Sequence, residues 1–522
     1  MNDENGRKPF HSHKPSSFGK PGGHTAKRNE GIKGKTGYAD RKPPRRDGKP
    51  AYKASNQPMK AVPSKKKKPA ARPVQNILPR RVALDTLMDV SRSGAYASLA
   101  LEKRLKQSNL PKRDRAFITQ IVYGTIENRI KLDWLIDRCL NSEEKALDPT
   151  VREILRMGAY QLFLMDKVPD MAAVDESVTL TRAMGLEALT GLTNAVLRRM
   201  IREKDQIQWP DPEKEPLTYL SVRYSVPEPL CGLLIDSLGM ETAEKLIGYK
   251  PQERVVTIRM NGLRCSEDRL ERLLSDEELK WEKGSLPGMY KVYDAGDLTA
   301  LRGYENGLFT IQGESSVLAA RMLLAAPGQT VLDACAAPGG KSAVIAEDML
   351  NSGRIYAWDS HPHRVDLIRN TARRLRLENI RPMARDATEM RESMNSTVDA
   401  ALIDAPCSGT GVMSEKPDLK YRITEDGVQS LCATQKAILN AVAPMLKPGG
   451  TLVYSTCSVL PEENEMQVRS FLAEHAEYEV YPLHENLPEA LRAYEGEFGL
   501  QLFPFRDGMD GFYICRLRRK KA

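Results

Sequence analysis

The chain has 522 residues, 41% of them apolar, with 78 Lys and Arg against 69 Asp and Glu for a formal charge of +9. That length predicts two to four domains with enough core to fold without covalent staples. Eight cysteines with no C-x-x-C pair, and no leading apolar segment, argue against a secreted disulfide framework, and no run reaches the roughly 18 apolar residues of a membrane span.

The charge is segregated along the chain. Residues 1–76 carry 20 Lys and Arg against 5 Asp and Glu, a local +15 that leaves the remainder at −6. With 10 Pro, 8 Gly and the run Lys65 to Lys68, this segment cannot bury enough apolar surface to offset ordering, and it is expected to be a disordered basic tail. A basic arm on an acidic body predicts salt-dependent attraction to a polyanion such as nucleic acid, a purely solubilising tail being the alternative. From 77 to 205 the apolar residues fall at helical spacing, for example Val82, Leu84, Leu87 and Val90, then Leu132, Leu135 and Ile136, then Ile154, Leu155, Leu162 and Leu164. Breakers near Ser108 to Pro111, Asp148-Pro149 and Val168 to Asp170 divide this stretch into several helices of an all-α domain.

Residues 206–306 read as a Pro-rich connector, a helical run from Leu230 to Tyr249, a strand over Val255 to Met260 and a helix over Glu267 to Leu274, together a small α+β insert. From 307 to 522 short apolar strands alternate with helices. The strands are expected at Thr330 to Ala334, Arg354 to Asp359, Ile380 to Arg385, Asp399 to Asp404, Thr451 to Ser455 and Phe512 to Leu517. Helices over Ser316 to Ala325, Lys341 to Met349, Arg364 to Leu375 and Val428 to Leu446 suit right-handed crossovers over a mainly parallel sheet. Such a domain binds its ligand beyond the carboxyl ends of its strands, so the loops starting at Asp333, Asp359, Asp386, Asp404 and Thr456 are expected to converge.

The loop after the first of these strands, Asp333-Ala334-Cys335-Ala336-Ala337-Pro338-Gly339-Gly340-Lys341-Ser342, is neither a dinucleotide fingerprint nor a P-loop. Its small residues and Gly339-Gly340 allow close backbone approach to a ligand, and the helix starting near Lys341 offers N–H groups to a carboxylate. Asp359 ends the next strand as a carboxylate does when it accepts ribose hydroxyls, and Asp386 could accept from an adenine amino group. A nucleoside with a carboxylate and no pyrophosphate describes S-adenosylmethionine better than NAD or ATP.

Two cysteines follow strand ends, in Asp404-Ala405-Pro406-Cys407 and in Ser455-Thr456-Cys457-Ser458. A thiolate adds readily to C6 of a pyrimidine and makes C5 nucleophilic enough to accept a methyl group, after which a second group must help remove the C5 proton. Asp404 could bond the cytosine N3/N4 edge and assist N3 protonation as charge develops. A helix beginning near Glu462 could lower one thiol if its start faces inward. The residue pattern by itself leaves the roles of the two cysteines open. Cys139, Cys231, Cys265, Cys432 and Cys515 read as packing thiols. His361 and His363 lack companion ligands at metal spacing and read as solvated helix-start residues, so no metal site is expected.

The runs Asp333 to Ser342, Asp404 to Gly411 and Tyr454 to Glu465 resemble the signature motifs of the NOL/NOP2/Sun family of RNA cytosine-C5 methyltransferases. Asp114 to Phe117, Tyr123-Gly124 and Asn194 to Arg198 resemble the RNA-binding domain of NusB. The resemblance implies a Rossmann-like class I methyltransferase domain behind a NusB-like all-α domain, with S-adenosylmethionine as cofactor. It implies RNA as partner, 16S rRNA or a small-subunit assembly intermediate; the scattered cysteines and the lack of an apolar span point to a cytoplasmic protein with no membrane association, expected to be a monomer. By position it implies Cys457 as the nucleophile and Cys407 as the residue that helps release the product. Cofactor contacts are implied for Cys335, Ala336, Ala337, Pro338, Gly339, Gly340, Lys341, Asp359, Arg364, Asp386 and Asp404. Arg259-Met260-Asn261 resembles the family's substrate-side strand, and Asp510-Gly511-Phe512 its closing motif. Ser414-Glu415 stands where an Arg pair often precedes the Pro-Asp, and Ser225-Val226-Pro227 lacks the His often found in the connector. These departures bear on the target nucleotide and keep tRNA as an alternative substrate. A noncatalytic RNA-binding or ribosome-assembly factor is the alternative from a different class.

Overall fold

The computed structural model describes residues 78–141, 146–251 and 255–521. The expected basic tail, residues 1–76, lies outside the described residues. Seven helices come first: Leu78–Ser93, Ala97–Ser108, Lys112–Glu127, Arg129–Arg138, Pro149–Leu164, Asp170–Ala183 and Thr190–Glu203. Each break falls at a local stop signal. Asp148 caps the fifth helix by accepting from Thr150 N at 2.7 Å and Val151 N at 3.3 Å, with Pro149 supplying a first-turn φ that needs no donor. That helix is buried on nearly every side through Ile154, Leu155, Ala159 and Tyr160 and is the axle of the bundle. The Tyr160 ring lies so close to Gly124 that a Cβ there would sit 2.0 Å from it, which explains a glycine inside a helix.

The connector forms helices Pro216–Tyr224, Glu228–Leu238 and Met240–Gly248. The single run expected over Leu230 to Tyr249 is therefore two helices, broken at Gly239, whose φ of +78° cannot continue a helix. The insert holds an antiparallel sheet of β1 (Val255–Met260), β2 (Lys280–Lys283), β3 (Met289–Tyr293) and β4 (Phe309–Ile311), in the order β2-β3-β1-β4. Helix Glu267–Asp276 accompanies it.

The large sheet contains β5 (Thr330–Asp333), β6 (Arg354–Asp359), β7 (Ile380–Ala384), β8 (Val398–Asp404), β9 (Leu446–Thr456), β10 (Tyr478–Val480), β11 (Glu495–Gly496), β12 (Gly499–Leu502) and β13 (Phe512–Arg519). Its order is β11-β12-β13-β9-β8-β5-β6-β7, with β10 on β13. The pairs among β5 to β9 are parallel and β10 to β13 add antiparallel strands. Alternate strand residues feed two cores. Val331, Leu402 and Val453 pack with Val317, Ile345 and Ile368 on one face, while Leu332, Ile403 and Tyr454 pack with Ile438, Leu439 and Phe471 on the other. Helices Glu314–Arg321, Gly340–Asp348 and Pro362–Leu375 thus cover one side, and Glu425–Val442 and Glu465–Glu474 the other. The helix expected to run to Leu446 stops at Val442, because Pro444 opens a 3-10 turn and Leu446 already belongs to β9. The chain leaves β5 toward β6 and β7 on one side and reaches β8 and β9 on the other, so the strand order reverses between β5 and β8. Asp333 and Asp404 end these two strands at that crevice.

Candidate active site

The loop following β5 closes by backbone bonds from Ala336 N to Trp358 O at 2.7 Å and from Gly339 N to Ala336 O at 2.7 Å. Gly339 carries a φ of +105°, which a side chain would strain, and a Cβ there would lie 3.1 Å from the Ile368 backbone, a tight contact between this loop and helix Pro362–Leu375. Thr371 Oγ1 donates to Pro338 O at 3.0 Å from the same helix. Asp333 is wholly buried, accepts from Ser342 Oγ at 2.5 Å, and keeps Oδ1 without a partner. Burial pushes its carboxyl up to about 7, opposed by the Ser342 bond and reinforced by Asp404. An orphaned oxygen at the reversal point, beside a glycine-shaped loop and a helix start, fits a polar ligand of the kind expected for S-adenosylmethionine. The Cys335 thiol is pushed up by burial and then by the carboxylates of Asp333, Asp404 and Asp359, which makes it a packing group within that loop.

Asp359 is buried at the end of β6, where it accepts from His361 N at 3.0 Å and pairs with Arg364 at 3.3 Å. Asp386 stands apart. It is exposed and accepts from Thr388 N at 2.9 Å and Thr388 Oγ1 at 2.7 Å, bonds that hold its carboxyl below the ordinary value. Its side chain closes its own turn, and the backbone bond from Arg385 N to Asp359 O, 3.0 Å, joins the preceding residue to the end of β6. His361 and His363 rest edge to face at 5.6 Å at the start of helix Pro362–Leu375.

The β8 and β9 loops bring the two cysteines together. Cys407 Sγ and Cys457 Sγ are 3.2 Å apart, and both thiols are free. Asp404, opposite Ser455 in the register, accepts from Ser455 Oγ at 3.1 Å and pairs with Lys341 Nζ at 2.8 Å. Lys341 lies over the Phe512 ring at 5.1 Å, so one side chain links the β5 loop, β8 and β13. Cys457 is held below the ordinary thiol value by its bond from Cys407 and by the Lys341 and Lys416 ammonium groups, against burial and Asp404. Cys407 is pushed well up by the same bond, by burial, and by the charges of Cys457 and Glu463.

A buried polar lattice fixes this pair. Gly411 N donates to Cys457 O at 3.0 Å, Thr410 Oγ1 lies 2.9 Å from Ser458 Oγ and accepts from Val459 N at 3.0 Å, and Asn464 bonds both Thr456 Oγ1 and Ser458 O. Glu463 accepts from Ser408 N at 2.8 Å, Ser408 Oγ at 2.5 Å and Gln435 Nε2 at 3.1 Å. Glu463 carries no motif that singles it out in the sequence, and the helix expected from Glu462 is instead a 3-10 turn, Pro461–Glu463, ahead of helix Glu465–Glu474. The inward group is therefore a side-chain carboxylate and no helix N-terminus from that position. The available signal was a buried-type spacing, Val459-Leu460 before the turn, inside an otherwise acidic run.

Arg259 and Asn261, expected on the substrate side, are buried braces. Arg259 bonds Gln312 Oε1 at 2.9 Å and pairs with Glu347 of helix Gly340–Asp348, while Asn261 Nδ2 donates to Gly307 O and Leu375 O, each at 3.1 Å. They fasten the insert to the cofactor-side helices, which a strand motif alone does not reveal. Gly511 abuts Gly411 through a bond from Gly511 N to Gly411 O at 3.0 Å, and burial beside Glu415 pushes Asp510 up to about 7. Asp510, Glu415, Glu314 and Glu127 line a cavity of about 820 Å³ with Tyr249 and Lys291. Among the described residues no helix is long and apolar enough to cross a membrane.

The family model described as 16S rRNA methyltransferase RsmB/F matches residues 320–518, and the NusB family model matches residues 78–202. The protein of Bacillus subtilis (strain 168) named "Probable ribosomal RNA small subunit methyltransferase B" is 37% identical over 443 residues, covering 84% of this chain and 98% of its own length. Ribosomal RNA small subunit methyltransferase B of Pasteurella multocida (strain Pm70) is 29% identical over 448 residues, covering 84% and 96%. Among solved structures, PH0851 aligns with a TM-score of 0.72 at 24% identity over 85% of this chain and 99% of that one. NSun6 from Pyrococcus horikoshii, solved with SFG, aligns with a TM-score of 0.50 at 22% identity over 57% and 99%. These structural likenesses concern the fold: helices first, then an α/β domain around a mainly parallel sheet.

Proposed function

The chain belongs to the ribosomal RNA small subunit methyltransferase B family, and from that premise we propose that it methylates C5 of a cytosine in 16S rRNA through a transient bond between Cys457 and C6 of the base. S-Adenosylmethionine is the cofactor, and when bound it supplies an electrophilic methyl group on a sulfonium centre. The residues that would hold it are the loop Cys335 to Lys341, with Asp333 and Asp359 at the strand ends and Arg364 fixing Asp359. Asp386 would contribute from the rim.

Cys457, the lower of the two thiols, attacks C6 as thiolate, and the electron pair it displaces from the ring double bond makes C5 nucleophilic. Asp404, held between Lys341 and Ser455, bonds the N3/N4 edge and supports the charge that builds there. Once C5 carries the new methyl group, its proton leaves to a base on the Cys407 side, the ring double bond re-forms and the C6–S bond breaks, returning Cys457 as thiolate. The base must leave its stack for Sγ to reach C6, which favours a locally unpaired target. The NusB-like helices are the natural RNA-holding part.

The observation that carries this reading is the thiol pair, 3.2 Å apart, at the strand ends flanking the reversal point of a Rossmann-like sheet. Incubation with methyl-labelled S-adenosylmethionine and separate unmodified 16S rRNA and tRNA pools, followed by nucleoside mass spectrometry, tests it. Labelled 5-methylcytidine is expected in the rRNA alone; label in tRNA alone would replace the substrate. Cys457→Ala is expected to lower methyl transfer by about a thousandfold or more, and Cys407→Ala to accumulate a covalent protein–RNA adduct. Methyl transfer at the wild-type rate by Cys457→Ala would point to a different chemistry.

A further inference from the structure

The two thiols share one hydrogen bond, so the sulfur that keeps the proton decides which sulfur attacks. Distance alone does not choose, because both cysteines follow strand ends and both are half-buried. The charges around them are unequal. Cys457 faces Lys341 and Lys416 as well as Asp404, whereas Cys407 faces the carboxylate of Glu463 and the ring hydroxyl of Tyr454. Glu463 is wholly buried and its carboxylate meets no Lys, Arg or His among the described residues. Its two oxygens instead collect three neutral donors, two from Ser408, the residue following Cys407, and one from Gln435. Gln435 Nε2 also donates to Pro406 O at 3.0 Å, the residue preceding Cys407. Glu463 and Gln435 therefore grip the cysteine from both sides in the chain. Tyr454 donates to Glu463 O at 2.6 Å, which ties the same residue to β9 just before Cys457.

We propose that Glu463 is a positioning residue that holds the Cys407 loop and keeps the shared proton on Cys407, committing Cys457 to be the nucleophile. An acceptor-only group without a cation beside it disfavours a second negative charge on the nearer sulfur. Lys341 and Lys416 favour negative charge on the farther one. The carboxylate does not touch the reacting atoms; it acts through Ser408 and through its field.

The inference rests on the reading of Cys457 as nucleophile, and its test is independent of methyl transfer. Initial rates of iodoacetamide alkylation are measured cysteine by cysteine by mass spectrometry in the full chain from pH 6 to 9. In the wild type Cys457 is expected to react at least about tenfold faster than Cys407 at pH 7, since each unit between the two thiols changes the thiolate fraction about tenfold. Glu463→Gln keeps the size and most of the bonds but removes the charge, and is expected to shrink that ratio about tenfold. Glu463→Asp is expected to retain most of it. A merely structural role would leave the ratio insensitive to charge, so an unchanged ratio in Glu463→Gln overturns the inference. Cys407 reacting as fast as Cys457 in the wild type overturns it with no variant needed, including the case in which Glu463→Gln does not fold. Loss of methyl transfer in Cys457→Ala with an unchanged ratio in Glu463→Gln would sink this inference and leave the proposed function standing.

Discussion

Asp333 ends β5 with one oxygen on Ser342 and the other unpartnered, an arrangement that costs stability for as long as no ligand answers it. Burial first, and then Asp404, raise its carboxyl to about 7, against an unfolded value of about 3.9. Below about pH 4 both states hold the proton. Between pH 4 and 7 the unfolded chain releases it while the folded chain retains it, so stability falls as pH rises through that window and levels off above it. Asp333→Asn keeps the shape and the Ser342 bond without titrating. The variant is expected to gain on the wild type from pH 4 to 7, by on the order of 2–4 kcal/mol at pH 8, and to show no gain below pH 4. Urea unfolding of the ligand-free protein at pH 4, 6 and 8 checks this, and a difference that stays constant with pH would mean that another group carries the slope. The same residue shows where sequence reading stops. The strand-end positions of Asp333, Asp404, Cys407 and Cys457 are legible because strand ends next to small-residue loops are few. Glu463 is not, because a carboxylate in the run Pro461-Glu462-Glu463 reads as solvent-facing until tertiary contacts turn one of the two inward.

Elements with strong local signals were placed correctly, and those set by their neighbours were not. Helices Ala97–Ser108 and Lys112–Glu127 stop at Asn109 and Asn128, and β6, closed by Asp359, matches its expected bounds residue for residue. The short strands β2, β4, β10 and β11 carry too few alternating residues to announce themselves, and each exists because a longer partner offers an edge. Arg259 and Asn261 illustrate the same limit, since their motif marks a strand but not the helices they brace. The cap at Asp148 is an element-scale feature that can be measured. It satisfies two otherwise unpaired N–H groups at the start of the axle helix Pro149–Leu164. Asp148→Ala is expected to lower stability by about 0.5–2 kcal/mol in urea unfolding, with Asp148→Ser recovering most of it. Equal stability of the alanine and serine variants would show that Pro149 alone sets this helix start.

At the scale of the whole chain, the segment Asp418–Arg422 joins the Cys407 loop to the helical region and the connector. Asp418 accepts from Ala97 N at 3.2 Å, and Arg422 donates to Ala95 O at 2.8 Å while lying over the Tyr96 ring at 4.3 Å. Lys420 Nζ donates to Glu127 O at 2.8 Å and Tyr224 O at 3.3 Å, the C-terminal carbonyls of helices Lys112–Glu127 and Pro216–Tyr224, while burial pushes its ammonium down to about 7. Tyr421 completes the seam: its hydroxyl donates to Ile126 O at 2.8 Å and lies 3.1 Å from Ser225 Oγ, which itself accepts from Ile130 N at 2.8 Å. Ser225 thus ties the connector to helix Arg129–Arg138 and to Tyr421. Tyr421→Phe retains the ring that Arg129 covers at 5.5 Å and deletes only the hydroxyl, removing its bond to Ile126 O and its contact with Ser225 Oγ. A loss of about 1–3 kcal/mol is expected in urea unfolding. Because the lattice around the two thiols runs through Thr410, Ser458 and Glu463 and does not include Tyr421, the ratio of Cys457 to Cys407 alkylation is expected to stay at the wild-type value. A changed ratio would mean that the seam and the thiol pair are coupled through the β8 loop.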